Sequence, residues 1–298
     1  MVAGGNDRTE RDVIGLDIGG SKTHGIRISG GKVIAEATAA SANVQNVSAG
    51  QAGEALGRIF AELGSNGVAR VIAGAGGVDT DDDARGLADL IQPFVPGAQV
   101  DAIHDTRLIL AAGGATIGIA LIAGTGSVAW GTDGAGSTAR SGGWGYLLGD
   151  EGSGYWIGRE AVRHALRQFN RGQQPDMLTQ SLLEAGSVAA PEGLIAHFHN
   201  SPDRHYLAAQ SRLVFDAANA GHQESIDIVD DAAAHLGGLV ADVADQLELN
   251  GPVVAGGGLA VYQTLLQQRL VHHLSRQGLE EVRFLDRDPV YGVLTLLE

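Results

Sequence analysis

Two stretches of this chain, roughly a hundred residues apart, are built on one plan: VIGLDIGGSKTHGIRIS from Val13 and GIALIAGTGSVAWGTD from Gly118. Each is an apolar run, a glycine turn and a second run, the pattern of a strand folding back on itself. Solenoid repeats recur every ~20–50 residues, so this spacing points instead to two related halves facing each other. The rest of the chain has to be arranged around those two hairpins.

Around the first hairpin, Val13 to Asp17, Gly25 to Ser29 and Val33 to Ala37 read as strands of a meander. Residues 49–63 carry helical periodicity, with Ala52, Leu56, Ile59, Phe60 and Leu63 on one face. Val71 to Ala75 and Val100 to Ile103 are further strands. A polar helix spans about 80–92, opened by the acidic run Asp79 to Asp83, and Thr106 to Ala112 opens another. Around the second hairpin, Ile117 to Ala123 and Val128 to Gly131 are strands, after which the chain becomes mostly helical. A helix after Gly154 puts Val162, Ala165, Leu166 and Phe169 on one face. Over 223–248, Ile226, Val229, Ala233, Leu236, Val240, Val243 and Leu247 recur every three or four residues. That spacing fits a coiled-coil dimer seam or a helix buried in its own domain, and a globular chain favours the second. Val253 to Ala255 is a strand, a helix follows near 262–275, Val282 to Leu285 is a last strand, and Pro289 begins a short terminal helix. Strands alternating with helices in this way make an α/β protein.

Composition removes whole classes of function. There is no cysteine, hence no disulfide, thiolate nucleophile, iron–sulfur cluster or Cys-based zinc site. Thirty-five acidic residues against 20 basic give a net charge of −15, which repels nucleic acid and anionic membranes. No apolar run reaches the ~18 residues of a membrane span, and no signal peptide is read. These features imply a soluble, cytoplasmic globular protein. Glycine is 45 of 298 residues, about twice the usual ~7%, and it clusters where ligands would be handled.

In the turn Asp17-Ile18-Gly19-Gly20-Ser21-Lys22-Thr23, bare backbone N–H groups can form a concave anion site, and Asp17 could serve Mg²⁺. An ordinary glycine hairpin reads equally well. It is not a Walker loop, because Ser21 precedes Lys22 where that pattern needs glycine. The second turn, Gly124-Thr125-Gly126-Ser127, mimics a dinucleotide fingerprint through Ala129. However, Trp130-Gly131-Thr132-Asp133-Gly134 cannot open the helix that the fingerprint requires. Two glycine hairpins suit a triphosphate better. In His104-Asp105-Thr106-Arg107 a strand ends and a helix begins, so Asp105 is either the helix N-cap or a general base at a strand end. Position alone does not separate these, and His104 reads as a residue that packs or hydrogen-bonds locally. Ser141 to Gly154 holds six glycines with Trp144, Asp150 and Glu151, a density suited to lining a sugar pocket. The pairs His197/His199 and His272/His273 lack a third ligand at metal spacing.

Taken in order, DIGGSKT, HDTRLILA, IAGTGS, SGGWGYLLGDEGSGYWIGREAV and VVAGGGLA resemble the N-acetylglucosamine kinase and BadF/BadG/BcrA/BcrD ATPase family over roughly residues 13 to 295. That family belongs to the acetate and sugar kinase, chaperone and actin superfamily. The resemblance implies two ribonuclease-H-like, actin-like ATPase domains with a central cleft. It implies a disordered 1–12, an N-terminal domain at 13–113, a C-terminal domain with helical additions at 114–284, and a terminal helix at 285–298 returning to the first domain.

It further implies ATP-dependent phosphorylation of N-acetylglucosamine or glucosamine at O6, with ATP and Mg²⁺ as cofactors and a homodimeric assembly. By resemblance Asp17 serves the metal, and Gly19, Gly20, Ser21, Lys22 and Thr23 form the first phosphate loop. Gly124, Thr125, Gly126 and Ser127 form the second, and Gly256, Gly257 and Gly258 the adenosine motif. Asp105 is the base, and Asn43, Gly76, Thr125, Trp144, Gly145 and Asp150 join it near the hexosamine. The absence of cysteine sets the chain apart from the dehydratase activators of the family, and from the related glucokinases with a Cys-rich zinc motif. Ile18-Gly19-Gly20 stands where many relatives have three glycines.

Overall fold

The computed structural model describes residues 12–200 and 204–298, so the N-terminal stretch before Asp12 lies outside the described residues. The chain divides into two compact units. One comprises the chain up to Thr116 together with Arg287–Glu298, and the other Ile117–Asp286.

The first unit runs β1 (Asp12–Ile18), β2 (Lys22–Ser29), β3 (Lys32–Ala40), α1 (Ala49–Leu63), β4 (Val68–Ala75), α2 (Asp81–Ile91), β5 (Gln99–His104) and α3 (Asp105–Ala112). Its sheet order is β3-β2-β1-β4-β5. The first three strands form an antiparallel meander, while β4 lies parallel to β1, and β5 parallel to β4. Strand β1 is apolar almost throughout because both of its faces are covered. Ile14, Leu16 and Ile18 pack in one cluster with Ala52, Leu56, Ile59 and Leu63 of α1 and Leu87 and Ile91 of α2. A second cluster joins Ile26, Ile28 and Ile72 to Leu108, Val290 and Val293, so the terminal helix Gly292–Leu296 completes this unit beside α3. Helix α1 begins in a capping box of Ser48 with Gln51, and α2 in one of Thr80 with Asp83. Such caps are worth ~1 kcal/mol, and the second explains the acidic run as a solvated helix start.

The second unit repeats the plan. Strands β6 (Gly118–Ala123), β7 (Ser127–Thr132) and β8 (Thr138–Gly142) form the meander. Then come α4 (Gly154–Asn170), α5 (Met177–Gly186), α6 (Pro191–His199), α7 (Arg204–Ala209), α8 (Ser211–Asn219), α9 (Gln223–Leu247), β9 (Val253–Gly256), α10 (Gly258–Tyr262), α11 (Thr264–Ser275) and β10 (Val282–Phe284). The order β10-β9-β6-β7-β8 is the first unit's order with each strand matched to its counterpart. The repeated strand–turn–strand segments are therefore the first hairpins of two ribonuclease-H-like sheets, the α/β class expected. In α9, Val229, Ala233, Leu236, Val240 and Val243 are fully buried in the unit's own core, which assigns their three-and-four spacing to packing rather than to a dimer seam.

Three details differ from the sequence reading. Edge strand β8, TARSG, was not anticipated because a short polar strand carries no alternating apolar signal. Phe169 is 43% exposed, standing beyond Ala165, the last buried residue of α4. The helix placed near 262–275 is two, α10 and α11, interrupted at Gln263. Among the described residues no helix is long and apolar enough to cross a membrane.

Candidate active site

The parallel register in the first unit brings the ends of three strands level. Asp17 lies opposite Gly74, Ile18 opposite Ala75, and Ala75 opposite His104. Asp17, Gly76 and Asp105 therefore emerge at one edge, the edge where open α/β sheets collect ligands. His104, not Asp105, is the N-cap of α3: its ring nitrogen accepts the Thr106 N–H. The N-cap reading of Asp105 is thereby corrected, and Asp105 is the first residue of the helix. His104 Nδ1 lies 2.6 Å from Thr106 Oγ1, the local hydrogen bonding expected of it. Asp105 Oδ1 is buried and makes no hydrogen bond, although it lies 3.0 Å from His104 Nδ1, the nitrogen that accepts the Thr106 N–H. An ionised oxygen removed from water without a donor is costly, which marks this atom as awaiting one.

Asn43 lies beside it. Its side-chain amide donates to Gly76 O at 3.1 Å, and its Oδ1 accepts the Gln45 N–H at 2.9 Å. A Cβ at Gly76 would stand 3.2 Å from Asp105 Oδ2 and 3.8 Å from Asn43 Nδ2. Asn43, Gly76, Gly77 and Val78 line a cavity of about 250 Å³. Three residues chosen from separate parts of the sequence thus meet in one place.

The first glycine turn folds as a tight hairpin, with Gly19 N–H donating to Lys22 O at 2.9 Å and Ser41 Oγ donating to Gly19 O. Thr23 is fully buried, and its hydroxyl accepts the Ala42 N–H, so its side chain braces the hairpin. Lys22 Nζ binds Asp288 Oδ2 at 2.8 Å, and His24 Nδ1 reaches the same oxygen at 2.8 Å. Asp288 escaped the sequence reading because it lies far along the chain, visible only as the residue before Pro289. Burial first, then the charges of Asp105 and Asp288, push the Asp17 carboxyl up from 3.8 to about 7. Lys22 and His24 hold Asp288 below its usual range. Asp17, a carboxylate destabilised by burial and by two like charges, is a hard oxygen donor of the kind that Mg²⁺ takes.

In the second unit, Gly124–Ser127 is fastened to the glycine-rich loop. Gly154 N–H donates to Gly124 O at 2.8 Å, Ser127 Oγ to Glu151 O at 2.8 Å, and Ser127 N–H to Asp150 Oδ1 at 3.1 Å. Asp150 is buried with φ 62°, a left-handed conformation that strains a non-glycine residue. Burial raises its carboxyl, opposed by the Ser127 N–H and the Arg204 charge. Gly126 has to be glycine: a Cβ there would lie 2.8 Å from Asp150 Oδ1. Gly126→Ala is expected to cost about 1–3 kcal/mol through overpacking, read as a lowered Tm; an unchanged Tm would refute the contact. Gly257 takes φ +88°, where a Cβ would lie 2.5 Å from Ala123 O. Gly124, Thr125 and Gly258 come together on a cavity of about 550 Å³, together with His205, Arg212 and Gln263, which belong to no motif of the chain. Trp144 is 62% exposed beneath the Arg140 guanidinium, in a loop with Leu147 and Leu148 also exposed.

Residues 14–289 match the model of the BadF/BadG/BcrA/BcrD ATPase family. The chain belongs to that family. It is 32% identical over 263 residues to an N-acetylmuramic acid/N-acetylglucosamine kinase of Clostridium acetobutylicum, covering 82% of this chain and 84% of the relative. To an N-acetyl-D-glucosamine kinase of Dictyostelium discoideum it is 31% identical over 273 residues, with the same coverage. Among solved structures, a Chromobacterium violaceum protein provisionally named an N-acetylglucosamine kinase superposes with a TM-score of 0.73 at 24% identity, over 97% of this chain and all of that one. A ROK family glucokinase of Streptomyces griseus superposes with a TM-score of 0.60 at 17% identity, over 95% and 97%. At those identities the two structures speak for the fold.

Proposed function

We propose that this BadF-family protein is an ATP-dependent kinase that phosphorylates an amino sugar, N-acetylglucosamine or glucosamine, at O6. The observation that carries the reading is the Asp105 carboxylate at the edge of the first sheet: its Oδ2 faces Gly76 beside the Asn43–Gly76 cavity, and its buried Oδ1 makes no hydrogen bond. A sugar hydroxyl would supply the missing hydrogen. The names of two relatives above 30% identity agree with it. A cytoplasmic homodimer is the form expected.

Phosphoryl transfer asks the protein for positioning and charge neutralisation rather than covalent chemistry. Asp105 accepts the hydrogen of the 6-hydroxyl, holds the oxygen in line and takes its proton as the bond to phosphorus forms. Asn43 is fixed by Gly76 and Gln45, so it presents its amide without reorganising. In the first unit the backbone of Gly19, Gly20 and Ser21, with Lys22, faces the phosphates. In the second, Gly124 to Ser127 supply further N–H groups, and the bare Gly256–Gly258 backbone accommodates the adenosine. Asp17 would hold Mg²⁺, which neutralises charge on the phosphate oxygens when bound. By the family resemblance Trp144, Gly145 and Asp150 also stand near the hexosamine.

A coupled ADP-release assay with Mg-ATP tests this against N-acetylglucosamine, glucosamine, N-acetylmuramic acid, glucose and no sugar. ADP release that requires one amino sugar is the expected result. Release that is equal with and without sugar makes the protein an ATPase with another partner, and no release with any sugar favours a sugar-sensing module.

A further inference from the structure

Far along the helical part of the second unit, three side chains from separate elements converge on a point that the proposed kinase chemistry does not use. They are His164 from α4, Asp176 from the turn before α5, and His222 from the turn before α9. His164 Nε2 lies 2.6 Å from Asp176 Oδ2, and His222 Nε2 lies 3.0 Å from the same oxygen. Among the described residues this is the group whose ligand atoms come within 4.8 Å of one another, as one metal ion requires. We propose that His164, Asp176 and His222 form a binding site for a borderline transition-metal ion, Zn²⁺ above all, which ties α4, α5 and α9 together.

The first argument is the crowding at Asp176 Oδ2. Besides the two imidazoles, Gln168 Nε2 donates to it at 2.7 Å. Three nitrogens on one carboxylate oxygen exceed its two lone pairs, and a metal ion relieves that by taking both imidazole lone pairs in place of two N–H groups. The second is the outer shell. A ligating imidazole normally donates its other N–H to a fixed acceptor, and His222 Nδ1 lies 2.9 Å from the hydroxyl of Ser225, which is fully buried. Asp176 is oriented independently, its Oδ1 accepting the Thr179 N–H at 2.9 Å as the N-cap of α5. Burial alone would raise the Asp176 carboxyl, but the Thr179 N–H and the two imidazoles outweigh it and keep it anionic. The third is the donor set. Two imidazoles and one carboxylate suit zinc, and discriminate against Mg²⁺, which takes oxygen. Donors about 2.0–2.1 Å from a tetrahedral zinc stand about 3.3 Å apart, so the two imidazole–carboxylate pairs need to open by less than about 1 Å. Glu224 Oε2, 3.5 Å from His222 Nε2, is placed to supply a fourth ligand or to hold a water there.

The test uses the whole chain, stripped with a chelator and titrated with Zn²⁺ in excess Mg²⁺, so that the oxygen sites are filled. One equivalent of zinc is expected to bind, with a rise in Tm that grows with zinc concentration. Co²⁺ in its place should give the intense visible bands of a four- or five-coordinate site. His222→Gln, at a partly exposed position, should weaken zinc by more than about 100-fold, the upper end of what losing an outer-shell partner does. Should that variant fail to fold, nitrogen-15 spectra of the parent imidazoles serve: zinc is expected to move both protons from Nε2 to Nδ1. Zinc binding equal in parent and variant, no binding at micromolar zinc, or imidazole spectra indifferent to zinc would each reduce the cluster to a hydrogen-bonded hub and overturn the proposal.

Discussion

Asp105→Asn is expected to lower kcat by about 10²–10⁴-fold, the range for removing a general base, while nucleotide affinity stays near the parent's. The substitution keeps shape and removes the charge that would accept the hydroxyl proton. It also removes one of the two carboxylates that push up Asp17, so the folded state loses a like-charge repulsion. Stability at pH 8 should therefore not fall, and inactivity cannot be blamed on unfolding. The measurements are kcat under saturating sugar, nucleotide binding by calorimetry and a thermal melt. Turnover within a few-fold of the parent would remove Asp105 from the chemistry.

The hairpins were legible because each obeys local rules: an apolar run long enough for a buried strand, then glycines where the chain must turn. The face of α1 was legible for the same reason, since Ala52, Leu56, Ile59, Phe60 and Leu63 are all buried. Strand β8 was not, because its pairing with β7 depends on a partner surface rather than on its own residues. The motif at 104–107 left Asp105 poised between cap and base. Only φ/ψ and hydrogen bonds could show that His104 caps the helix and leaves Asp105 exposed to other demands. Asp288 and the His164–Asp176–His222 cluster were unreadable for a deeper reason. Lys22 and Asp288 stand 266 residues apart, and Asp176 and His222 stand 46 apart. Such pairs are made by topology, which brings the last segment back against β1 and β2, and no window along the chain contains both partners.

Asp17→Asn is expected to make the ligand-free protein more stable above neutral pH while lowering its turnover. The folded carboxyl is raised from 3.8 to about 7 by burial and by the Asp105 and Asp288 charges, so the native state holds this proton more tightly than the unfolded chain. Below pH 3.8 both states are protonated and the residue contributes nothing. Between 3.8 and about 7 the unfolded chain ionises freely while the native protein resists, so stability falls as pH rises. Above about 7 the penalty is full and constant. A shift of this size has a ceiling of about 4 kcal/mol, and a partly solvated carboxylate realises less. The gain in Tm of Asp17→Asn over the parent should therefore be absent near pH 4, grow to about pH 7 and level off at several degrees. Millimolar Mg²⁺ should narrow the gap at pH 8, because a cation that binds Asp17 removes the same repulsion in the parent and has nothing to bind in the variant. A gain independent of pH would assign the effect to packing, and a gap unmoved by Mg²⁺ would deny Asp17 its metal. The instability of this carboxylate in the empty protein is what makes it a strong ligand, since the energy stored in its repulsion is released when charge of the opposite sign arrives.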